Sequence, residues 1–345
     1  MNFRLLPEWA PQDAVMLTWP HQNTDWANIL LDVEPVYVTL CQQISQLQSV
    51  VIIAHDESLK AHISRLLASA DVNLEQIIFV VTPCNDTWAR DHGPLTCANS
   101  QGQLAIKDFT FNGWGNKFDA ALDNAINNEL VKQTANPSNQ YKALDFVLEG
   151  GGIEINEHGT LLTTSECLLN PNRNPNYDKQ SIELLLKEEL GARDFLWVDH
   201  GYLAGDDTDS HIDTLVRFAP NNTLVYVQCD DQNDEHFSAL NAMEQQLTSF
   251  RTNQGASYQL IPLPWPKAVY NDEGDRLPAT YANYLIINSS VLVPVYNDEH
   301  DALALAQIQK AYPEHTVIGI NCLPIIEQFG SLHCITMQLP RGFLK

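Results

Sequence analysis

Leu224–Leu240 reads LVYVQCDDQNDEHFSAL and Val291–Ile308 reads VLVPVYNDEHDALALAQI. Each opens as a short apolar run of β-forming residues, passes through the same tetrapeptide, Asn-Asp-Glu-His, and continues with apolar residues at helical spacing. Asp, Glu and Ser in a helix's first turn meet its unsatisfied N–H groups and the positive end of its dipole. Both tetrapeptides therefore read as helix starts. Val50–Leu67 (VVIIAHDESLKAHISRLL) repeats the arrangement with His-Asp-Glu-Ser at the junction.

Working outward, further apolar runs stand at Ile77–Val81, Leu161–Thr164 and Tyr284–Ile287, and amphipathic stretches at Ser58–Ala68, Ser181–Leu190, Phe237–Leu247 and Ala302–Tyr312. Short apolar strands alternating with such helices predict an α/β protein. Strand starts near 50, 104, 161, 224 and 291 recur every roughly 55–65 residues, the mark of a repeated supersecondary unit in about five copies. No Gly/Ser-rich or Pro-rich linker divides the chain, so residues 1–345 are expected to form a single domain.

The composition narrows the class of function. With 345 residues and 44% hydrophobic content the chain can bury a large core, which excludes a disordered or fibrous protein. A formal net charge of −24 argues against nucleic acid or an anionic membrane as partner and suits a cationic ligand, although surplus carboxylates also serve solubility. No run approaches the ~20 apolar residues of a membrane span, and the proline-broken N-terminus lacks the apolar core of a secretory signal. Seven cysteines form no C-x-x-C pair, so a zinc ribbon, a redox dithiol and a fully paired disulfide framework lose support. A cytoplasmic location is expected.

Four polar clusters interrupt the strands: Asn85-Asp-Thr-Trp-Ala-Arg-Asp-His-Gly-Pro94, Leu148-Glu-Gly-Gly-Gly152, Gly205-Asp-Asp-Thr-Asp-Ser-His-Ile-Asp213 and Gly330-Ser-Leu-His-Cys334. Functional groups concentrate on loops held by a rigid scaffold, so the four are candidates for one shared site. Each has a plainer reading. The first could be a turn stitched by an Arg90–Asp91 pair, and the glycines could serve a φ > 0 turn or a close backbone approach. The third resembles a calcium loop but lacks the rest of an EF-hand, and Cys334 could be a core thiol. His55, His62, His236 and His300 read as helix-start or surface residues; His333, on an expected strand, should point away from Cys334. Together Asp91, Glu149 and Asp213 would place like charges in one pocket, which a metal or a guanidinium could offset. Trp88 could wall an alkyl stem and add a cation–π contact of roughly 0.5–2 kcal/mol.

At these loops the sequence resembles the agmatine deiminase family of the guanidino-group-modifying superfamily, which includes the peptidylarginine and arginine deiminases. The resemblance runs through EWAPQDAVMLTWPHQNTDW (8–26), NDTWARDHGP (85–94), FNGWG (111–115), LEGGGIE (148–154), LLNPNRNP (168–175), GDDTDSHID (205–213), RLPATYANYLI (276–286) and GSLHCITMQLP (330–340). One departure is local: the family pattern carries Gly-Gly-Asn-Ile-His-Cys where this chain reads Phe329-Gly330-Ser331-Leu332-His333-Cys334. The resemblance implies a five-bladed α/β propeller of pseudo-fivefold ββαβ repeats around a central active site.

It also implies roles for residues. Cys334 would be the nucleophile, His211 the acid/base, Asp91 and Asp213 the guanidinium clamp, Glu149 a support for His211 or the substrate nitrogens, and Trp88 a substrate wall. Asp207, Trp114 and Gly330 are further substrate-binding candidates. The reaction implied is hydrolysis of agmatine to N-carbamoylputrescine and ammonia, in polyamine metabolism, without metal or organic cofactor and without a direct Cys334–His211 hydrogen bond. Peptidylarginine is the alternative substrate; free arginine would need a basic partner for its α-carboxylate, and none is identified. A metal hydrolase using Asp91-His92 and His211-x-Asp213, or a non-catalytic polyamine-binding module, are the rival classes. The sequence leaves the oligomeric state open, with a homodimer as the assembly to test.

Overall fold

The computed structural model describes residues 2–345, and each apolar run and amphipathic stretch named above forms a strand or a helix with ends shifted by at most two residues. The chain folds into five sheets of three or four strands and one small two-stranded ribbon. Four of the sheets share one plan: an antiparallel hairpin, a helix, and a third strand parallel to the second. In the first, Leu95–Ala98 and Leu104–Thr110 form the hairpin and Ile126–Thr134 leads to the parallel strand Gln140–Val147. The others run Ile153–Ile155, Thr160–Thr164, Asp194–Val198; then Val216–Ala219, Thr223–Val227, Gln259–Leu263; then Leu285–Ile287, Ser290–Val295, Thr316–Asn321. The fifth repeats the plan with its antiparallel pair drawn from the two ends of the chain: Thr336–Pro340 lies antiparallel to Gln12–Thr18, the helix Leu30–Ser45 follows, and Ser49–Ala54 runs parallel, with Ile77–Val81 added beyond it.

The apolar strands are buried on both faces, as parallel strands with covered sides must be. Because successive side chains point to opposite faces, Val50 and Ile52 enter one hydrophobic cluster while Val51 and Ile53 enter the other. Burying each such side chain contributes about 1.5–3 kcal/mol. The repeated tetrapeptide does the same local work twice. Asp234 Oδ1 accepts from the His236 amide at 2.9 Å and lies 2.7 Å from its Nδ1; Asp298 Oδ1 stands 2.7 and 2.8 Å from the same atoms of His300. Asp56 caps the helix Glu57–Ala68 by accepting from the Leu59 amide at 2.8 Å. His236 is buried and stands at the N-cap of the helix Phe237–Ser249, so it is a helix-start residue and not a surface one.

One expectation is corrected. His333 and Cys334 lie in a turn ahead of Thr336–Pro340, not on a strand, so alternation does not govern where they point. The helix Leu30–Ser45, which carries Pro35 inside it, is not singled out in the sequence.

Ile52→Ala is expected to destabilise the protein by about 2–5 kcal/mol, because it opens a cavity in a strand packed on both faces. Urea unfolding should show a lower midpoint with an unchanged slope; a loss under about 1 kcal/mol would contradict this account of the core.

Candidate active site

Each of the five connections between successive sheets delivers a polar side chain to one region: Asp91 between Val81 and Leu95, Glu149 between Val147 and Ile153, His211 and Asp213 between Val198 and Val216, Asn283 between Leu263 and Leu285, and Cys334 between Asn321 and Thr336. Gly151 marks their meeting point. A Cβ there would lie 2.6 Å from His211 Nδ1, 2.8 Å from Asp91 Oδ1 and 3.1 Å from Asp213 Oδ2. Gly150–Gly152 form a short helical turn without positive φ, so close approach, not a left-handed turn, explains these glycines.

Asp91 is buried, and its carboxylate accepts from Trp114 Nε1 at 2.9 Å and the Gly151 amide at 3.1 Å, with His211 Nδ1 at 3.5 Å. Burial pushes the Asp91 carboxyl up to about 6, opposed by His211. Burial alone would lower the His211 imidazole; the negative Asp91, with help from Cys167 and Glu149, outweighs it and holds the ring up at about 10. The two therefore form a charged pair from about pH 6 to about pH 10. Burial would also raise Asp213, but His333, His211 and Arg217 keep it below the usual carboxylate value. His333 Nδ1 sits 2.7 Å from Asp213 Oδ2, and its Nε2 sits 2.8 Å from Glu8 Oε1 and 3.1 Å from Arg217 Nη2. Arg217 is itself buried, bonded to Glu154 and to the carbonyls of Ala282 and Tyr284.

Cys334 Sγ hydrogen-bonds Asn283 Oδ1 at 3.4 Å, and no hydrogen bond joins it to His211 among the described residues. Burial, then Asp213 and Asp91, push its thiol well up. Among the described residues, two buried atoms at the site make no hydrogen bond of ordinary geometry, His211 Nε2 and Asp213 Oδ1, although the Cys167 thiol stands close to the histidine. An orphaned buried acceptor costs about 1–3 kcal/mol, so Asp213 Oδ1 is set for a donor that arrives from outside.

Toward solvent the site opens into a cleft of about 170 Å³ bounded by Asp25, Asp86, Asp91, Asp207, Trp88 and Trp114, with no lysine or arginine in its lining. Trp88 and Trp114 meet edge to face, 6.1 Å between centroids, and Gly330 lies against the Trp88 ring so closely that a Cβ would fall 2.0 Å from it. Asp207 is exposed at the rim. Non-glycine residues with left-handed backbones flank the cleft: Trp114 (φ 54°), Asp209 (64°), Ser210 (61°) and Phe329 (61°). Such conformations cost of order 1–3 kcal/mol each and persist where the surroundings enforce them.

The acidic loop 205–213 is held by side chains of the protein itself. Asp206 caps the amides of Thr208 and Ser210, and Asp209 accepts from Arg173 at 2.6 Å and Lys117 at 2.8 Å. Arg173 also bonds both oxygens of Glu149, at 2.9 and 3.0 Å, so Glu149 is neutralised from behind. The suggested Arg90–Asp91 stitch is replaced: Arg90 turns to Glu8 and Gln338. His92 turns to Thr18, 3.2 Å away, rather than sharing a site with Asp91. Residues not singled out in the sequence complete the surroundings. Glu8, Glu154, Arg173 and Asn283 all lie inside the motifs quoted above; Cys167, within 4.8 Å of Glu149 and His211 donor atoms, carries no motif signal at all.

Comparison with known proteins places this arrangement. Residues 4–340 match the model of the Porphyromonas-type peptidyl-arginine deiminase family. The chain belongs to that family. A Porphyromonas gingivalis structure named provisionally as an arginine deiminase is 46% identical, covers 100% of each chain and superposes with a TM-score of 0.92. A C. jejuni agmatine deiminase, a cysteine-to-serine variant with substrate bound, is 38% identical over 99% of this chain and 97% of that one, with a TM-score of 0.89. Agmatine deiminase of Ectopseudomonas mendocina is 30% identical over 98% of this chain and 96% of its own length.

In Asp91→Asn the His211 ring should titrate 1–3 units lower, since the main support of its charge is gone. NMR titration of the imidazole checks this, and a value still near 10 would show that a group other than Asp91 supports its charge.

Proposed function

We propose that the chain, as a single catalytic domain, hydrolyses agmatine to N-carbamoylputrescine and ammonia. The observation that carries the reading is the convergence of two buried carboxylates, Asp91 and Asp213, at Gly151, close enough to the buried Cys334 thiol for both to act on it, with one Asp213 oxygen left unpartnered. Two carboxylates at such a point call for a planar cation with several N–H donors, and guanidinium supplies them in forked geometry. Whole-length similarity to proteins named agmatine deiminase supports the same substrate.

The chemistry follows from the electrostatics. Asp213 and Asp91 discourage ionisation of Cys334 until a guanidinium neutralises them; the thiol then loses its proton to solvent and becomes the nucleophile. The thiolate adds to the guanidinium carbon. His211, charged through its pairing with Asp91, protonates the departing nitrogen, and ammonia leaves an S-alkylthiouronium on Cys334. The now neutral His211 takes a proton from water as it attacks that carbon, the C–S bond breaks, and the ureido product leaves. Glu149, held by Arg173, lies close enough to His211 to favour its charged form.

The acidic cleft supports agmatine over free arginine, because its lining offers carboxylates for a distal ammonium and no cation for an α-carboxylate. Asp207 at the rim is assigned to the ammonium and Trp88 and Trp114 to the alkyl stem. Peptidylarginine, suggested by the family's name, is the second reading. The five sheets of like plan, closed by pairing of Thr336–Pro340 with Gln12–Thr18, support a five-bladed propeller around this site.

Cys334→Ala should lose essentially all ammonia release with an unchanged circular dichroism spectrum; a variant keeping a tenth of wild-type activity contradicts the assignment. For the wild type, kcat/KM against pH should fall below about 6 as Asp91 takes a proton and above about 10 as His211 loses one. A profile flat through pH 6 would remove Asp91 from the clamp. Across agmatine, arginine and a peptide arginine, agmatine should give the highest kcat/KM; preference for the peptide would transfer the site to the second reading.

A further inference from the structure

A second cluster of ligand-type side chains lies outside the site. Three neighbouring parallel strands, Gln12–Thr18, Ser49–Ala54 and Ile77–Val81, end side by side, and His21, His55 and Cys84 stand just past their carboxyl ends. Open α/β sheets gather ligands at that edge, where the loops diverge. Cys84 Sγ lies 3.6 Å from His21 Nε2 and 3.9 Å from His55 Nδ1, and the two imidazoles pack with centroids 4.3 Å apart. One donor atom from each of the three lies within 4.8 Å of the other two.

A tetrahedral ion holding sulfur at ~2.3 Å and nitrogen at ~2.0–2.1 Å keeps those donors roughly 3.5 Å apart. The two sulfur–nitrogen distances come within a few tenths of an ångström of that spacing. His21 and Cys84 are buried, whereas His55 is half-buried, and both histidines border a cleft of about 450 Å³ that also presents Asp56, Glu34 and His62. An ion thus has an entry path and oxygen donors close by. The reaction proposed above uses none of these groups.

We propose that His21, His55 and Cys84 bind one late first-row divalent ion, Zn²⁺ in the first instance, with the fourth position open to the cleft. Thiolate with two imidazoles suits Zn²⁺ and excludes the oxygen-seeking Mg²⁺ and Ca²⁺. Burial and the carboxylates of Asp123, Asp86 and Asp56 keep the Cys84 thiol protonated without an ion, so binding displaces that proton to water. The ion ties the ends of three strands together, directly before Asn85 and Asp86. Their amides are held by Asp123, and the Asp86 carboxylate accepts from Trp26 and Trp88 at the cleft.

The test is a Co²⁺ titration of the full chain, read by thiolate-to-cobalt charge-transfer absorption, followed by Zn²⁺ displacement. One equivalent of Co²⁺ should bind in wild type, in Cys334→Ser and in His211→Ala. The band should vanish in Cys84→Ser, and the dissociation constant should rise about tenfold or more in His55→Ala. The active-site variants are needed because Glu149, Cys167 and His211 also bring donors within 4.8 Å. If Cys84→Ser fails to fold, His55→Ala alone decides, with circular dichroism confirming its fold. Absence of the band in wild type with excess Co²⁺, its survival in Cys84→Ser, its loss in His211→Ala, or unchanged affinity in His55→Ala each overturns the proposal.

Discussion

Asp91 and Asp213 are two buried carboxylates brought within reach of one glycine. Like charges removed from water repel and lose hydration, so each must be supported from behind. Asp91 has the Trp114 indole, the Gly151 amide and a charged His211; Asp213 has His333, backed by Glu8 and Arg217. The support stops short of one oxygen, Asp213 Oδ1, and one nitrogen, His211 Nε2. Breaking the buried supports by removing one partner costs about 3–5 kcal/mol, so the network behind the site is also a condition of folding.

The rest of the architecture serves that convergence. No single sheet could bring five loops to one point, but five sheets of like plan, each handing the chain to the next, do so with one connection apiece. The union of both chain ends in one sheet fixes the connection that carries Cys334, because the turn at 331–335 leads directly into the strand paired with Gln12–Thr18. Left-handed backbones at Trp114, Asp209, Ser210 and Phe329 aim these loops inward. Arg173, bonded to Glu149, Asp209 and the Thr208 carbonyl, locks two of the loops together.

Much of this was legible in the sequence because it is local. Wholly apolar strands, the acidic residues ahead of helices, and the recurrence of both depend on neighbours along the chain. The density of charge and glycine marked four of the five connections. The fourth, with Asn283, escaped because RLPATYANYLI holds little charge and reads as the approach to a strand. Cys167 escaped for a related reason: a cysteine among apolar neighbours reads as core, and only the fold sets it beside His211. Arg90 and Asp91 are adjacent in sequence yet face different partners, since the short helix Ala89–His92 turns them apart. Pairing across hundreds of residues, as between Glu8 and His333, leaves no periodic trace.

Cys334 is assigned the attack, whereas Cys167 is the thiol set beside His211. Acid-quenching the enzyme during turnover of agmatine, then digesting it and mapping the adduct by mass spectrometry, identifies which sulfur becomes covalent. The account predicts that the peptide bearing Cys334 alone carries the mass of agmatine less ammonia, and that any such adduct formed in His211→Ala is not hydrolysed. An adduct on Cys167, or sustained turnover in which no cysteine is ever modified, would contradict it.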